Sequence, residues 1–366
     1  MQASKKQENY RCTYIANVSP GQVLYENVYV NNKLLLKSGV VLTVSMIEKI
    51  KSYNIQFVTV EDRNRTKTSA SVMPVATSSE EKRLIDSIKS EFYTVLSSLS
   101  VETRYGRFLN NKEDILYVRN LFISYMRNPY INKFLMGLKT RDEYSYKHSV
   151  DVFVLSTLFA KHVGIRYVED IALGFLLHDI GKLNAPPEIL LKKSTLTTAE
   201  NLQMQRHVFD GAAMLDKLGL SHVAYLAKYH HERVDGSGYP EGLTANKMPK
   251  ELQILQIIDV FSAITLQRVY KDEVAAAEGI RELFKDKHLF NVELIKDFAD
   301  CIGIYPVGAI VVLSEGSLAE VVKVNPNFPL LPEMKLLKTN QLFSIPQDFS
   351  VKVSNIIDVY INDALL

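Results

Sequence analysis

Five of the chain's eight histidines fall in one window, and four of them, His178, His207, His230 and His231, lie in or beside segments with helical periodicity. The window reads His178-Asp179-Ile180-Gly181-Lys182, then His207, then His230-His231-Glu232-Arg233-Val234-Asp235-Gly236-Ser237-Gly238-Tyr239-Pro240. Adjacent His-Asp and His-His pairs are poor core material, because an unpaired imidazole or carboxylate is costly to bury. A fold that gathers them inside must supply a common partner. Neutral imidazole is the commonest metal ligand, and a carboxylate has two oxygens with which to bridge two ions. The pattern therefore points to helix ends that converge on a buried, metal-holding centre suited to hydrolysis.

The flanking sequence is built for that. From Tyr144 to about Phe298 almost every segment has helical spacing, interrupted at Pro186-Pro187 and from Gly236 to Gly242. The apolar run Val168 to Leu177 predicts a buried helix that delivers His178 and Asp179 at its C-terminal end, with Gly181 breaking it. A Thr197–Glu200 capping box predicts the start of a helix that carries His207. A helix from near Ser221 ends at His230-His231. Leu252 to Leu266 is strongly apolar yet holds one acid, Asp259, which needs a partner if buried. His148 opens a core-facing stripe with Val152, Leu155 and Phe159.

Elsewhere the texture changes. Val23 to Val30, Lys33 to Leu36 and Ile55 to Val60 read as strands, with Asn31-Asn32 as a turn and a helix over Ser45 to Tyr53. Arg63 to Ser79 is small and polar, as in a linker. Helices are predicted after a capping box at Ser78 and Glu81, and from about Asp114 to Met126. Beyond Gly303, Ala309 to Leu313, Ala319 to Val324 and Met334 to Leu337 are β-like. The expected plan is mainly α: an N-terminal α/β module (1–65), a linker (66–79), a helical connector (80–140), a helical catalytic domain (141–303) and a β-rich C-terminal extension (304–366).

Composition narrows the partners. A formal charge of +2 gives no reason to expect DNA or another polyanion over a broad surface, so phosphate chemistry must be local. No apolar run approaches the ~20 residues of a bilayer span, and Met1 to Glu8 has no secretory pattern. Cys12 and Cys301 have no partner motif and read as free thiols. These features lead us to expect a cytoplasmic protein with no membrane insertion.

The pair His178-Asp179 with Gly181-Lys182, followed by the 230–240 signature, resembles the HD-GYP branch of the HD-domain metal-dependent phosphohydrolases. The resemblance extends over about residues 125–340. It includes Tyr144 to Ser149, Leu196 to Leu215, Asp259-Val260-Phe261 with Arg268 and Tyr270, and the tail from Tyr305 to Leu337. It implies two or three divalent ions, often iron or manganese, and hydrolysis of cyclic di-GMP. One ion would take His148, His178, Asp179 and Asp259; the second would share Asp179 and take His207, His230 and His231. Two such ions can clamp a phosphodiester and lower the pKa of a bridging water to give hydroxide near neutral pH. Nitrogen and oxygen ligands alone leave Fe, Mn, Zn and Co open.

Lys182 and Asp179 are the expected catalytic residues, Lys182 by neutralising phosphoryl charge. Lys182, Asp235, Gly236, Gly238, Tyr239 and Arg268 are the expected substrate contacts, although the 235–240 loop equally suits pocket shaping and Arg268 equally suits plain exposure. Two positions depart from the family pattern. Tyr144 stands where third-metal members carry Glu, and Glu143 is turned about 100° off that face, so two ions are expected rather than three. Ser262 stands where the Asp259 helix often carries a second Asp.

The expected activity is a phosphodiesterase that opens cyclic di-GMP to pGpG, with a further cut to GMP left open. The alternatives are an HD phosphohydrolase for another cyclic dinucleotide, and a signalling module that binds nucleotide or a partner with little turnover. The N-terminal module is expected to sense a signal, form a homodimer or dock a signalling protein.

Overall fold

The computed structural model describes residues 10–15, 18–30, 33–53, 55, 57–61, 79–100, 105, 108, 111–266, 276–325, 328–346, 350–351 and 353–359. The expected linker, the Asn31-Asn32 turn, Ser78, Arg268 and Tyr270 lie outside the described residues, apart from Ser79 at the linker's end.

Near the N-terminus, β1 (Tyr10–Tyr14), β2 (Val28–Val30), β3 (Lys33–Leu36), α1 (Val44–Ser52) and β4 (Phe57–Glu61) form a small α/β unit. β1 pairs with β4 and β2 with β3, both antiparallel. Ile47 and Ile50 of α1 close a core with Leu24, Leu42, Val58 and Val60. α1 starts where Thr43 accepts the Met46 N–H, one of the donors a helix start leaves unpaired.

Three helices follow: α2 (Ser79–Ser100), α3 (Lys112–Met126) and α4 (Pro129–Arg141). The α4 helix falls within the helical connector expected over 80–140, although no separate start was placed at Asn128-Pro129. Asn128 caps the new helix by accepting the Tyr130 and Ile131 N–H groups, and Pro129 takes the first turn, where its missing donor costs nothing.

The helical body comprises α5 (Glu143–His162), α6 (Val168–Leu177), α7 (Pro187–Leu190), α8 (Thr198–Gln205), α9 (His207–Lys217), α10 (Ser221–Tyr229), α11 (Lys250–Thr265), α12 (Ala276–Lys285) and α13 (Val292–Ile302). α5 and α11 are buried on nearly every side and pack together at the centre. Helices enclosed all round need no polar face, which is why their few polar residues stand out. The capping box of Thr197 and Glu200 is present, but the helix it opens does not run on through His207. It breaks at Arg206, and His207 begins a new helix.

Past Gly303, which ends α13 in the left-handed region at φ 72°, the chain forms β5 (Ala309–Leu313), β6 (Leu318–Asn325), β7 (Phe328–Leu336), β8 (Leu342–Ser344) and β9 (Val353–Val359). They make one antiparallel sheet in the order β8-β7-β6-β5-β9, and β9 packs on α13. The mainly α class with a small terminal sheet matches the sequence expectation. β8, three residues long, and β9, interrupted by Ser354, Asn355 and Asp358, had no strand assigned to them.

Candidate metal centre

Five elements converge on one point. α5 supplies His148, and the end of α6 supplies His178 and Asp179. α9 opens with His207, the end of α10 gives His230 and His231, and α11 gives Asp259. Gly181 explains how α9 comes so near. A Cβ at Gly181 would sit 1.9 Å from the His207 carbonyl oxygen and 2.5 Å from the Gly211 nitrogen, so the turn after Asp179 lies directly against the α9 backbone. Any side chain there would push His207 away from Asp179.

All seven expected ligands gather here, and six are buried: His148, His178, Asp179, His207, His230 and Asp259. His231 is partly buried. Ligand atoms of His148, His178 and Asp179 all lie within 4.8 Å of one another, as do those of His207, His230 and His231. Bonds of roughly 2.0–2.2 Å from each donor place opposite donors about 4 Å apart, so each trio can hold one cation with small adjustments. Asp179 stands between them. Its Oδ2 is 3.5 Å from His178 Nε2 and 3.7 Å from His148 Nε2, while its Oδ1 is 3.4 Å from His207 Nε2 and 3.7 Å from His230 Nε2. Asp259 Oδ1 lies 2.9 Å from His148 Nε2 and 3.5 Å from His178 Nε2.

Three of the rings are aimed by the helix end just before them. His178, His207 and His230 each turn Nδ1 toward the carbonyl three residues back, on Phe175, Met204 and Ala227, at 2.9, 2.7 and 2.9 Å. Carbonyls only accept, so Nδ1 carries the proton and Nε2 offers its lone pair inward. Buried His178 Nε2 and Asp179 Oδ1 have no hydrogen-bond partner among the described residues. Orphaned atoms of that kind in a nitrogen and oxygen cage fit a divalent cation.

The electrostatics divide in two. Burial lowers His207 to about 3, and with help from neighbouring imidazoles pushes His230 and His231 below the usual histidine value. Burial acts the same way on His178, but Asp179 and Asp259 outweigh it and raise that group. Burial opposes charge on both aspartates, yet Lys182 and His178 hold Asp179 low, and His148 and His178 hold Asp259 low. Neutral imidazoles and ionised carboxylates are the forms that bind metal.

Lys182 donates to Asp179 Oδ2 at 2.5 Å and keeps 20% of its side chain exposed, so it edges the site. Tyr239 stacks on His231 with ring centres 4.9 Å apart. Asp235 instead accepts from the Ser237 N–H and hydroxyl, which shapes the turn. Gly236 supplies a φ of 83°, and a Cβ at Gly238 would lie 2.4 Å from the Glu232 and Arg233 backbone. Buried Glu232 fixes the loop's far end by accepting the Glu241 and Leu243 N–H groups at 2.6 and 2.8 Å. Glu143 pairs with Lys147 and is 66% exposed, pointing away from the cluster, while the Tyr144 ring lies parallel to His148. The remaining described histidines, His162, His222 and His288, are exposed.

Sequence reasoning missed Asp151. It is wholly buried on α5 within the apolar run Val150-Asp151-Val152-Phe153. The signal was the one that singled out Asp259, a lone acid in an apolar helix.

A family model for the HD domain matches residues 142–291. The chain is 35% identical over 263 residues to a cyclic di-GMP phosphodiesterase of Pseudomonas aeruginosa, an alignment covering 70% of this chain and 63% of the relative. It is 30% identical over 223 residues to the cyclic di-GMP phosphodiesterase PdeB of Borreliella burgdorferi, covering 60% and 56%. It is 39% identical over 141 residues to the 3'3'-cGAMP-specific phosphodiesterase 1 of Vibrio cholerae, covering 38% and 33%. The chain thus spans less than two thirds of the length of each of these relatives. No helix among the described residues is long and apolar enough to cross a membrane. The segment 142–291 that matches the HD domain contains every one of the seven converging side chains.

Proposed function

We propose that this protein is a metal-dependent phosphodiesterase that opens cyclic di-GMP to linear pGpG and then to GMP. The observation that carries this reading is the position of Asp179, whose two oxygens face two separate histidine groups. A carboxylate shared in this way suits two neighbouring cations, and a phosphodiester is a substrate that two cations can clamp. His148, His178 and Asp259 would hold one ion, His207, His230 and His231 the other, with Asp179 common to both. Bound ions would supply Lewis acidity and an activated water; iron or manganese fits the donors.

The chain's own residues supply the rest. Lys182 can turn from Asp179 toward a phosphoryl oxygen and stabilise the charge that grows as water adds to phosphorus. Tyr239, held against His231, offers a ring at the edge of the site where a nucleotide would lie. The remaining loop residues Asp235, Gly236 and Gly238 hold that ring in place through the contacts described above. One centre grips one phosphodiester at a time, so pGpG precedes GMP.

Specificity is the finer question. The Vibrio cholerae relative named for 3'3'-cGAMP supports a second reading, in which this chain prefers a mixed cyclic dinucleotide. Anaerobically purified protein, analysed for metal and given cyclic di-GMP, 3'3'-cGAMP and cyclic di-AMP, tests both. We expect two ions per chain and fastest opening of cyclic di-GMP. Faster 3'3'-cGAMP opening would favour the second reading, and no hydrolysis with Fe or Mn bound would overturn the enzymatic one.

A further inference from the structure

His148 is aimed differently from its neighbours. Its Nδ1 lies 3.0 Å from Ser262 Oγ on α11, not against a carbonyl of its own helix. The Ser262 hydroxyl donates to Asp151 Oδ2 at 2.5 Å, and the Tyr105 hydroxyl donates to Asp151 Oδ1. Asp151 and Ser262 are fully enclosed and Tyr105 nearly so.

Proton counting gives this chain a direction. Ser262 has one proton and gives it to Asp151, so its oxygen can only accept from His148. His148 then carries a proton on Nδ1, which reserves Nε2, 2.9 Å from Asp259 Oδ1, for a cation that the two share, a proton or a metal ion. In the neutral ring the two lone pairs face each other, an arrangement suited to a metal ion bonded to both. We propose that Ser262 and Asp151 are positioning residues that commit His148 to metal binding, with Tyr105 steadying the Asp151 carboxylate.

The consequence reaches beyond the matched domain. Tyr105 precedes residue 142, where the family match begins. One ligand of one ion is therefore oriented through a residue of the preceding helical connector. This inference rests on the proposed ligand role of His148, and its test must separate the two.

The test is Mn2+ binding to the full chain, with His148→Ala as reference. Ser262→Ala should bind one Mn2+ as tightly as the parent and the second about 10- to 100-fold more weakly, the usual scale for losing a residue that orients a ligand. Turnover at saturating Mn2+ should recover to within a few fold. Asp151→Asn keeps the acceptor oxygen and should weaken the second site by only about threefold, as should Tyr105→Phe. Adding Asp151→Asn to Ser262→Ala should cost little more, because both act through one path.

Parent-like affinity at both sites in Ser262→Ala, with a weakened site in His148→Ala, would overturn the positioning role alone. No change in either variant would overturn the ligand reading of His148 as well. Equal weakening of both sites together with a lower thermal midpoint of the metal-free protein would reduce the chain to a packing element.

Discussion

His178, His207 and His230 are each steadied by a carbonyl three residues away, so their aim is a property of a helix end. His148 and Asp259 lie within long buried helices, and His148 is aimed by a side-chain relay spanning α5, α11 and Tyr105. The centre's two halves also differ in charge. The His207, His230 and His231 half holds imidazoles only, whereas the other carries Asp259 and the adjoining Lys182. A locally built ligand needs only its own turn to fold, but a relayed one needs distant elements to be right at once. The relayed half is therefore the one that events elsewhere in the molecule can tune.

Asp179 belongs to both halves, and its removal should have the largest effect. Asp179→Ala is expected to lower hydrolysis by roughly 10³-fold or more and to reduce bound metal at both sites. Metal analysis together with rate measurement checks this. Near-parent turnover with two ions retained would remove Asp179 from the bridge and dissolve the two-half description.

The locally aimed ligands were also the more legible in sequence. His-Asp-x-Gly-Lys and His-His before a glycine-rich loop are contiguous strings, and contiguity follows from ligands clustering at helix ends. His207 could be assigned to a helix, but the break at Arg206 could not be read, since Gln203 to Val208 shows no proline or glycine. The relay is not contiguous. Tyr105, Asp151 and Ser262 are separated by 46 and 111 residues, and only packing of α5 on α11 brings the last two together. Ser262 was visible as a departure, but its partner was not. The mainly α class came from long periodic stretches, whereas the start of α4 inside the expected 80–140 connector was not placed, because Asn128-Pro129 starts a helix as readily as it ends one.

Lys182 sharpens the comparison because it touches Asp179 only through Oδ2, the oxygen that faces His148 and His178. Lys182→Ala should slow turnover by about 10²-fold, the scale for losing one group that stabilises transition-state charge, while both ions stay bound. Time-resolved chromatography of cyclic di-GMP digestion should show slower pGpG formation. Loss of an ion in this variant would mean that Lys182 serves to hold Asp179 in place instead.

Acid should distinguish the halves without mutation. His207, His230 and His231 are held below the usual histidine value of 6.5, so between that pH and the lowered values the unfolded chain binds more protons than the folded one. Their contribution is complete above about 6.5 and is lost as pH falls, reaching about 3 for His207. His178 runs the other way: raised by Asp179 and Asp259, it contributes stability below 6.5 that fades as pH rises through its shifted value. Three groups oppose one, so the metal-free protein should melt a few degrees lower at pH 5 than at pH 7.5 (roughly 1–2 °C per kcal/mol at this chain length, from about 2 cal/mol/K per residue). A midpoint that rises on acidification would show the carboxylate half dominating.

Removing residues 1–62 should change the least. The N-terminal unit has its own core around Leu24, Ile50 and Val60, distinct from the core that encloses the centre. All seven candidate ligands, and the relay from Tyr105 onward, lie beyond the cut. Both halves should therefore keep their ions, and cyclic di-GMP hydrolysis by the shortened chain should stay within about twofold of the parent, as expected for changes remote from a site. Signal response or self-association would be altered instead. A shortened chain that folds and retains the ion of the His207, His230 and His231 half but loses the other would be the informative failure. It would mean that the N-terminal unit steadies the connector, and that its influence enters the centre through Tyr105 and the relayed half.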